Sequence, residues 1–239
     1  TPDEDVEGGI VYLNEVRIRL GLPVVDYDEA TSRHCARHGL YINRHGRAYA
    51  HHEDPKHRDY DEKAARAGAQ SVISMGPKTC AGGCRNLLNT FLHRIPLLQP
   101  RLETVGLARV GAVVLYEYRT GRTRDPEAYE WTDPILYPPD EARDVPLNWP
   151  GESPRFYRFN PLRGGSPITA TFPPGAKVTD AEFVLSRGGR SMAFYIWTPE
   201  DPAHEMWPDN MNSVSVFPKV MLAPDTEYGC QLRCRVSGE

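Results

Sequence analysis

Hydrophobic positions in the first 118 residues recur mostly at the period of amphipathic helices. The capping-box sequence Thr1-Pro2-Asp3-Glu4 predicts the start of a first helix, which ends at Gly21. Asp28 predicts the N-cap of a second helix that runs to about His45. Two shorter helices and an antiparallel pair of strands follow, with predicted ranges of 61–69, 85–93, 105–110 and 112–118. This order of elements predicts an α+β domain.

From Trp131 onward the pattern changes to short alternating strands separated by Pro, Gly and Asp. Six strands are predicted, over residues 135–137, 168–172, 181–185, 192–197, 213–217 and 228–236. Their number and spacing predict an all-β, immunoglobulin-like sandwich, and Tyr228 is placed to form a tyrosine corner. The polar stretch 120–134 is the predicted linker. We therefore predict two domains, 1–130 and 131–239.

Composition narrows the classes of partner. The formal net charge is −4, and neither half of the chain is basic enough to predict nucleic acid as the main partner. The longest apolar run, residues 110–116, is too short to cross a bilayer, so no transmembrane segment is predicted. The chain begins with Thr1, and we expect that an export signal has been removed. These features favour a secreted or cell-envelope protein.

The five cysteines leave at least one thiol unpaired within the chain. Cys230 and Cys234 alternate with polar residues, so we expect both to face inward as buried thiols. They lie about 13 Å apart along a strand, which is too far for a disulfide. Cys80 and Cys84 flank a glycine-containing stretch that we expect to be a loop, and Cys35 competes for either. The disulfide state of these three cysteines stays open.

Histidines supply the candidate chemistry, and seven of the eight lie within the first 93 residues. Three of them, His34, His38 and His45, share one stripe of the second predicted helix. A solvated or partly buried helix face is the favoured interpretation of this stripe, and a metal site is the alternative. In the segment FLHRIPLLQPRLETVG (91–106), His93 precedes a proline-interrupted apolar run, a position that core packing does not require.

Several segments together resemble the CAP superfamily, which is related to cysteine-rich secretory proteins and plant pathogenesis-related proteins and includes bacterial SCP domains. The opening of the resemblance is LNEVRIRLGLPVVDYDEATSRHCARHGLYINRHG (13–46). AHHEDP (50–55) resembles the loop with the first site histidine of the family, and FLHRIPLLQPRLETVGLARVG (91–111) resembles the motif with the second. The resemblance covers residues 5–118. It implies an α-β-α sandwich in which His51 and His93 face one cleft.

The chain departs from the family at the acidic positions of that cleft. In the fuller pattern two glutamates complete a tetrad with the histidines, and some members bind a divalent metal there. Here no aspartate or glutamate lies between Glu62 and Glu103, and Ser71 stands near one of the missing glutamates. Two imidazoles alone are fewer ligands than a stable zinc site needs. The basic residues of this region favour an anionic ligand.

We therefore predict a non-enzymatic binding or adhesion protein that requires no cofactor and has no assigned catalytic residue. The predicted ligand contacts are His51, His93, Arg94 and Ser71. The ligand is expected to be anionic or extended, such as a peptide, a lipid or a cell-wall glycan. One alternative is a metal-dependent hydrolase that binds zinc through His51 and His93, with Glu53 or Asp54 as its carboxylate. The other is a structural surface or assembly component.

Overall fold

The computed structural model describes residues 2–119, 125, 130–149, 151–153, 164–202 and 211–237. The chain forms two compact units. The first unit comprises residues 1–88 and 96–130, and the second comprises residues 89–95 and 131–239. The predicted domains, 1–130 and 131–239, place residues 89–95 in the first domain, whereas the structure groups them with the second unit.

The described residues form five α-helices; the first four belong to the first unit, and most of the fifth belongs to the second. Aspartates begin three of the helices. The helices are α1 (Glu4–Arg19), α2 (Glu29–His45), α3 (Glu62–Ala69), α4 (Cys80–Leu88) and α5 (Phe91–Leu97). The carboxylates of Asp3, Asp28 and Asp61 accept hydrogen bonds from backbone N–H groups in the first turns of α1, α2 and α3. The predicted second helix is confirmed. The predicted cap at Thr1 is wrong, because Asp3 caps α1.

The sheet of the first unit has four strands in the order β1-β3-β4-β2. They are β1 (Asp26–Tyr27), β2 (Ser71–Met75), β3 (Thr104–Val110) and β4 (Val113–Glu117). The predicted antiparallel pair is confirmed as β3 and β4, while β1 pairs with β3 in parallel. Buried side chains of α2 and α3 pack on one face of β4 around Leu115. On the other face, Gly9 of α1 and Gly83 of α4 approach Tyr116 and Val114 closely.

The strands of the second unit form two antiparallel sheets. One has the order β5-β6-β10-β9 and the other β11-β7-β8. The strands are β5 (Ile135–Tyr137), β6 (Ile168–Thr171), β7 (Lys177–Arg187), β8 (Arg190–Ser191), β9 (Phe194–Trp197), β10 (Ser213–Pro218) and β11 (Tyr228–Ser237). The six predicted strands are all present, although their ends shift. Buried residues of both sheets, including Ala170, Val178 and Val214, share one hydrophobic core.

A second hydrophobic cluster of this unit lies on the β5-β6-β10-β9 sheet. It joins Trp197 of β9 and Phe217 of β10 to Phe91, Leu92 and Ile95 of α5, with Trp149 completing the cluster. The first turns of α5 are therefore part of the core of the second unit. The α+β class predicted from sequence is confirmed. The tyrosine-corner hydrogen bond is confirmed too, because the hydroxyl oxygen of Tyr228 accepts the backbone N–H of Ala223 at 2.7 Å.

All five cysteines are free thiols. Cys80 and Cys84 lie one turn apart inside α4, so the prediction of a loop between them is wrong. Glycine is needed at position 83 of that helix, because a Cβ there would meet Val114 at 2.7 Å. The expectation that Cys230 is buried is also wrong, since it is exposed. β11 is the edge strand of its sheet, and only its Leu232 and Cys234 pack against the shared core. Among the described residues, no helix combines the length and apolar character needed to span a membrane.

Candidate functional site

Glu152 caps helix α5 from a distant part of the sequence. Its Oε1 accepts the backbone N–H of Phe91 at 2.7 Å, and its Oε2 accepts that of Leu92 at 2.8 Å. The first N–H groups of a helix have no partners within the helix, so a carboxylate satisfies them well. The side chain of Glu152 is completely buried. The start of α5 is thus held by a residue that lies about 60 positions later.

The same carboxylate contacts His93. Oε2 of Glu152 lies 3.0 Å from Nδ1 of His93, and Thr90 Oγ1 lies 3.3 Å from the same nitrogen. Since the carboxylate can only accept, the Nδ1–H of His93 donates to it. The His93 side chain retains 15% exposure, and no described residue hydrogen-bonds its Nε2. The buried carboxylate therefore fixes the ring through Nδ1 and leaves Nε2 without a hydrogen bond to the described residues.

Arg94 serves the interior of the second unit. It is 1% exposed, and its Nη1 donates to the carbonyl oxygen of Pro167 at 2.8 Å and to Thr169 Oγ1 at 3.3 Å. Its guanidinium lies over the ring of Tyr137, 4.4 Å from the centroid. Burial lowers the pKa of Arg94 to about 10, while electrostatic interactions with Tyr137 and Glu152 act in the opposite direction. The prediction that Arg94 contacts a ligand does not fit this enclosure.

The two other predicted ligand contacts lie in the first unit. His51 is exposed, and its Nδ1 lies 3.0 Å from the carbonyl oxygen of Gly68, to which it donates. Ser71 is buried at the start of β2, and its hydroxyl donates to the carbonyl oxygen of Ala67 at 2.7 Å. A ligand-binding role for Ser71 does not fit this position, because the side chain is buried and its hydroxyl proton is already donated to Ala67.

His38 holds the loop in which His51 lies. Its Nε2 is 2.8 Å from the carbonyl oxygen of Ala50, and its Nδ1 is 2.9 Å from Oε1 of Glu53. The side chains of His38 and Glu53 are both buried, and the second carboxylate oxygen accepts the backbone N–H of Asp61 at 3.0 Å. Glu53 is therefore not available as the carboxylate of a hydrolase. His38, the middle residue of the predicted stripe, is fully buried, whereas His34 and His45 are partly buried.

No group of three or more histidine, cysteine or acidic side chains is arranged to hold a metal ion within the described part of the chain. The structure brings His93 and Arg94 together with Glu152 in the second unit, whereas His51 and Ser71 lie in the first. The shared cleft of His51 and His93 stays a prediction. Sequence reasoning missed Glu152, because a contact across 59 positions leaves no local pattern.

Comparison with known proteins gives one distant similarity. No protein-family model matches the chain, and no curated protein matches it. Among solved structures, the chain is similar to an extracellular protein containing a SCP domain from Bacillus anthracis str. Ames, with 15% sequence identity and a TM-score of 0.40. The match covers 51% of this chain and 40% of that chain. A likeness of this size identifies neither a ligand nor an activity.

Proposed function

We propose that the chain is a secreted or envelope-associated binding protein of the CAP type, and that His93, held by Glu152, is its principal ligand contact. The sequence segments 13–46, 50–55 and 91–111 support the family, and the two packed sheets of the second unit support an immunoglobulin-like spacer or adhesion module. The ligand class is anionic or extended: a peptide, a lipid head group or a cell-wall glycan. His51 is the second proposed contact.

One observation carries this proposal: the hydrogen bond between His93 and the buried carboxylate of Glu152. An imidazole whose Nδ1–H is engaged presents only Nε2 to a ligand. The neutral ring accepts a hydrogen bond from a hydroxyl or amide at that atom, and the protonated ring donates to an anion. Because the oxygens of Glu152 are covered, an anionic ligand meets the imidazole and not the carboxylate.

The surroundings limit the negative charge at this site. Glu152 accepts two backbone N–H groups, and the buried cation Arg94 interacts electrostatically with it. Fixed dipoles and a nearby cation offset a buried carboxylate. This balance supports binding of an anion at His93 better than a bare histidine–glutamate pair would.

Histidine-ring NMR tests the proposal with inorganic phosphate as an anionic probe. We expect phosphate to shift the Nε2 resonance of His93 saturably in the millimolar range, and His93→Gln to remove that response. His52→Gln, at an exposed histidine, is the matched control and retains it. Absence of any His93 shift contradicts anion binding at this atom. Zinc binding at micromolar concentration that is lost in His93→Gln favours the metal-dependent hydrolase.

A metal-free hydrolase is the second candidate, because a carboxylate-oriented histidine with an accessible Nε2 is also the arrangement of a general base. In this reaction Nε2 takes a proton from water while the water oxygen attacks an ester carbonyl. When the tetrahedral intermediate breaks its bond to the leaving oxygen, the imidazolium returns that proton to it and the alcohol departs. Hydrolysis of p-nitrophenyl acetate distinguishes the two functions. If the wild type hydrolyses the ester faster than background and both His93→Gln and Glu152→Gln abolish this activity, the result favours the enzyme. If the wild type shows only the background rate, the result favours binding.

A further inference from the structure

Five aromatic rings form a continuous cluster between α2 and the loop that follows it in the first unit. This ring cluster consists of Tyr41, His45, Tyr49, His52 and His57. His45 stacks on His57 with ring centroids 4.2 Å apart, and Tyr49 lies 5.0 Å from His52. Tyr41 is buried, whereas His52 is exposed. The ring cluster therefore extends from the helix surface to solvent.

Hydrogen bonds fix the loop that carries these rings. The hydroxyl oxygen of Tyr41 accepts the backbone N–H of Asp54 at 2.8 Å, and the hydroxyl lies 2.5 Å from Nδ1 of His57. Asp59 accepts from Arg44 at 2.5 Å and lies 2.9 Å from Nε2 of His45. Because both ends of the loop are anchored to α2, the exposed rings are held in place before any ligand arrives. Such preorganisation lowers the entropy cost of binding.

Three exposed cations lie within two sequence positions of residues of the ring cluster, and we call Arg47, Lys56 and Arg58 the cationic rim. Arg47 lies two positions before Tyr49 in the same short 3-10 helix. Lys56 and Arg58 flank His57, whose ring is 5.5 Å from that of Tyr49. Within the described residues, none of the three forms an ion pair. Their charges are thus available to a partner.

The acidic side chains of this region are mostly used inside the fold. Glu53 is buried against His38, and Asp59 is held by Arg44 and His45. Asp61 caps α3 and pairs with Arg37 at 2.6 Å. The remaining carboxylate of the loop, Asp54, accepts the backbone N–H of Lys56. The exposed charge next to the ring cluster is therefore predominantly positive.

We propose that the ring cluster and the cationic rim bind an acidic polysaccharide. Its sulfate or carboxylate groups pair with Arg47, Lys56 and Arg58, while its sugar rings pack against Tyr49 and His52. The chemistry fits because guanidinium and ammonium groups recognise oxyanions and aromatic faces cover the apolar faces of sugars. The residues of this surface belong to the first unit, whereas His93 and Glu152 belong to the second.

An anionic membrane fits this surface less well. Residues 44–60 contain no leucine, isoleucine, valine, methionine, phenylalanine or tryptophan. Peripheral membrane binding gains much of its strength from apolar side chains that enter the acyl boundary. The loop offers charge and ring faces without such an anchor. Charged groups and ring faces are the contacts that an acidic polysaccharide requires.

Heparin binding to the full chain, followed by calorimetry at low salt, tests the charged contacts. We expect Arg47→Gln/Lys56→Gln/Arg58→Gln to weaken binding about tenfold or more and to flatten its dependence on salt. The matched control, Lys177→Gln/Arg187→Gln/Arg190→Gln, removes the same charge from exposed positions of the second unit. It should change affinity less than about twofold, since those side chains belong to the other unit and are not part of the cationic rim. Equal losses in the two triple variants would overturn the proposal.

Two further comparisons separate a polysaccharide from other polyanions. His52→Ala and Tyr49→Leu should weaken heparin binding severalfold while leaving the binding of inorganic polyphosphate, which has no sugar rings, unchanged. Indifference of heparin binding to both variants would overturn the proposal, as would capture of phosphatidylglycerol vesicles without heparin binding. The heparin titrations report on the cationic rim and the ring cluster, whereas the phosphate titration reports on the His93 ring, so failure of this proposal is distinguishable from failure of the binding function at His93.

Discussion

Nδ1 of His93 lies 3.0 Å from Oε2 of Glu152, and 59 positions of sequence separate the two residues. The contact combines two tasks in one buried carboxylate. Glu152 completes the N-terminus of α5 and sets the orientation of the only ring in that helix that reaches the surface. No aspartate or glutamate lies within 63–102, and the carboxylate that contacts His93 comes from Glu152, later in the sequence.

Replacing Glu152 should destabilise the protein. Both carboxylate oxygens of Glu152 accept backbone N–H groups. In Glu152→Gln an NH₂ group replaces one of these oxygens and cannot accept, so a buried N–H is left without an acceptor. We expect a loss of about 2–3 kcal/mol in the free energy of unfolding. Urea denaturation measures this loss. Glu227→Gln, at an exposed position just before β11, is the control and should stay within about 0.5 kcal/mol of the wild type. Equal stability of the two variants would contradict the capping role.

Phe91 should be as important to the second unit as a residue of its own strands. It is completely buried against Trp149, Trp197 and Phe217. Phe91→Ala should cost about 3–5 kcal/mol, because truncation leaves a cavity in this cluster. Tryptophan fluorescence reports the unfolding of the same cluster. Leu136→Ala, at a side chain that is 50% exposed, is the control, and a loss for Phe91→Ala no larger than for Leu136→Ala would contradict the inserted helix.

Asp61 should give the first unit a pH-dependent increment of stability. The N–H of Ala64 lowers the pKa of Asp61, partial burial raises it, and Arg37 lowers it again, with a net shift below the ordinary value. A lowered pKa stabilises the fold above the unfolded value near 4, and this contribution is lost as the pH falls through the folded pKa. Because the carboxylate is partly exposed, we expect less than about 1 kcal/mol.

Urea unfolding of Asp61→Asn at two pH values measures this contribution. The variant should be less stable than the wild type at pH 7, and this deficit should shrink as the pH falls through the folded pKa of Asp61 and the wild-type carboxyl becomes protonated. Asp133→Asn, at an exposed aspartate, is the control and should match the wild type at both pH values. A deficit of Asp61→Asn that persists unchanged in acid would show that its charge is not the cause.

Thiol labelling should distinguish Cys230 from the cysteines of the first unit. Burial raises the pKa of Cys84 to about 12 and, together with the charge of Glu117, that of Cys35 to about 12. Such thiols are protonated at pH 8 and shielded from reagents, so they react only after unfolding. In the native protein dithionitrobenzoate should modify Cys230 first, and Cys230→Ser should remove the fastest phase. Rapid labelling of Cys35 or Cys84 would contradict the buried positions.

Local sequence signals predict local structure well in this chain. The aspartate caps and the glycine stop specify α2 because those contacts lie within one turn of the helix ends. The six alternating segments of the second half specify strands for the same reason. Cys80–Leu88 was missed because Gly82 and Gly83 read as a loop, although close packing on Val114 makes glycine necessary at one of them.

Contacts between distant segments account for what the sequence could not predict. The insertion of Phe91, Leu92 and Ile95 into the β unit depends on the shape of a cluster that exists only after folding. Glu152 carries no local motif that pairs it with His93. Arg94 and Ser71 resembled ligand contacts in the sequence, and tertiary packing instead gives both of them internal hydrogen bonds.

The tautomer of His93 tests the central claim most directly. Long-range ¹H–¹⁵N correlation NMR at a pH where the ring is neutral should show the proton on Nδ1 in the wild type, because Glu152 accepts it there. Glu152→Gln should reduce this preference, whereas Glu227→Gln should leave it unchanged. A wild-type His93 with its proton on Nε2, indifferent to Glu152→Gln, would contradict the account of how this histidine is presented to a ligand.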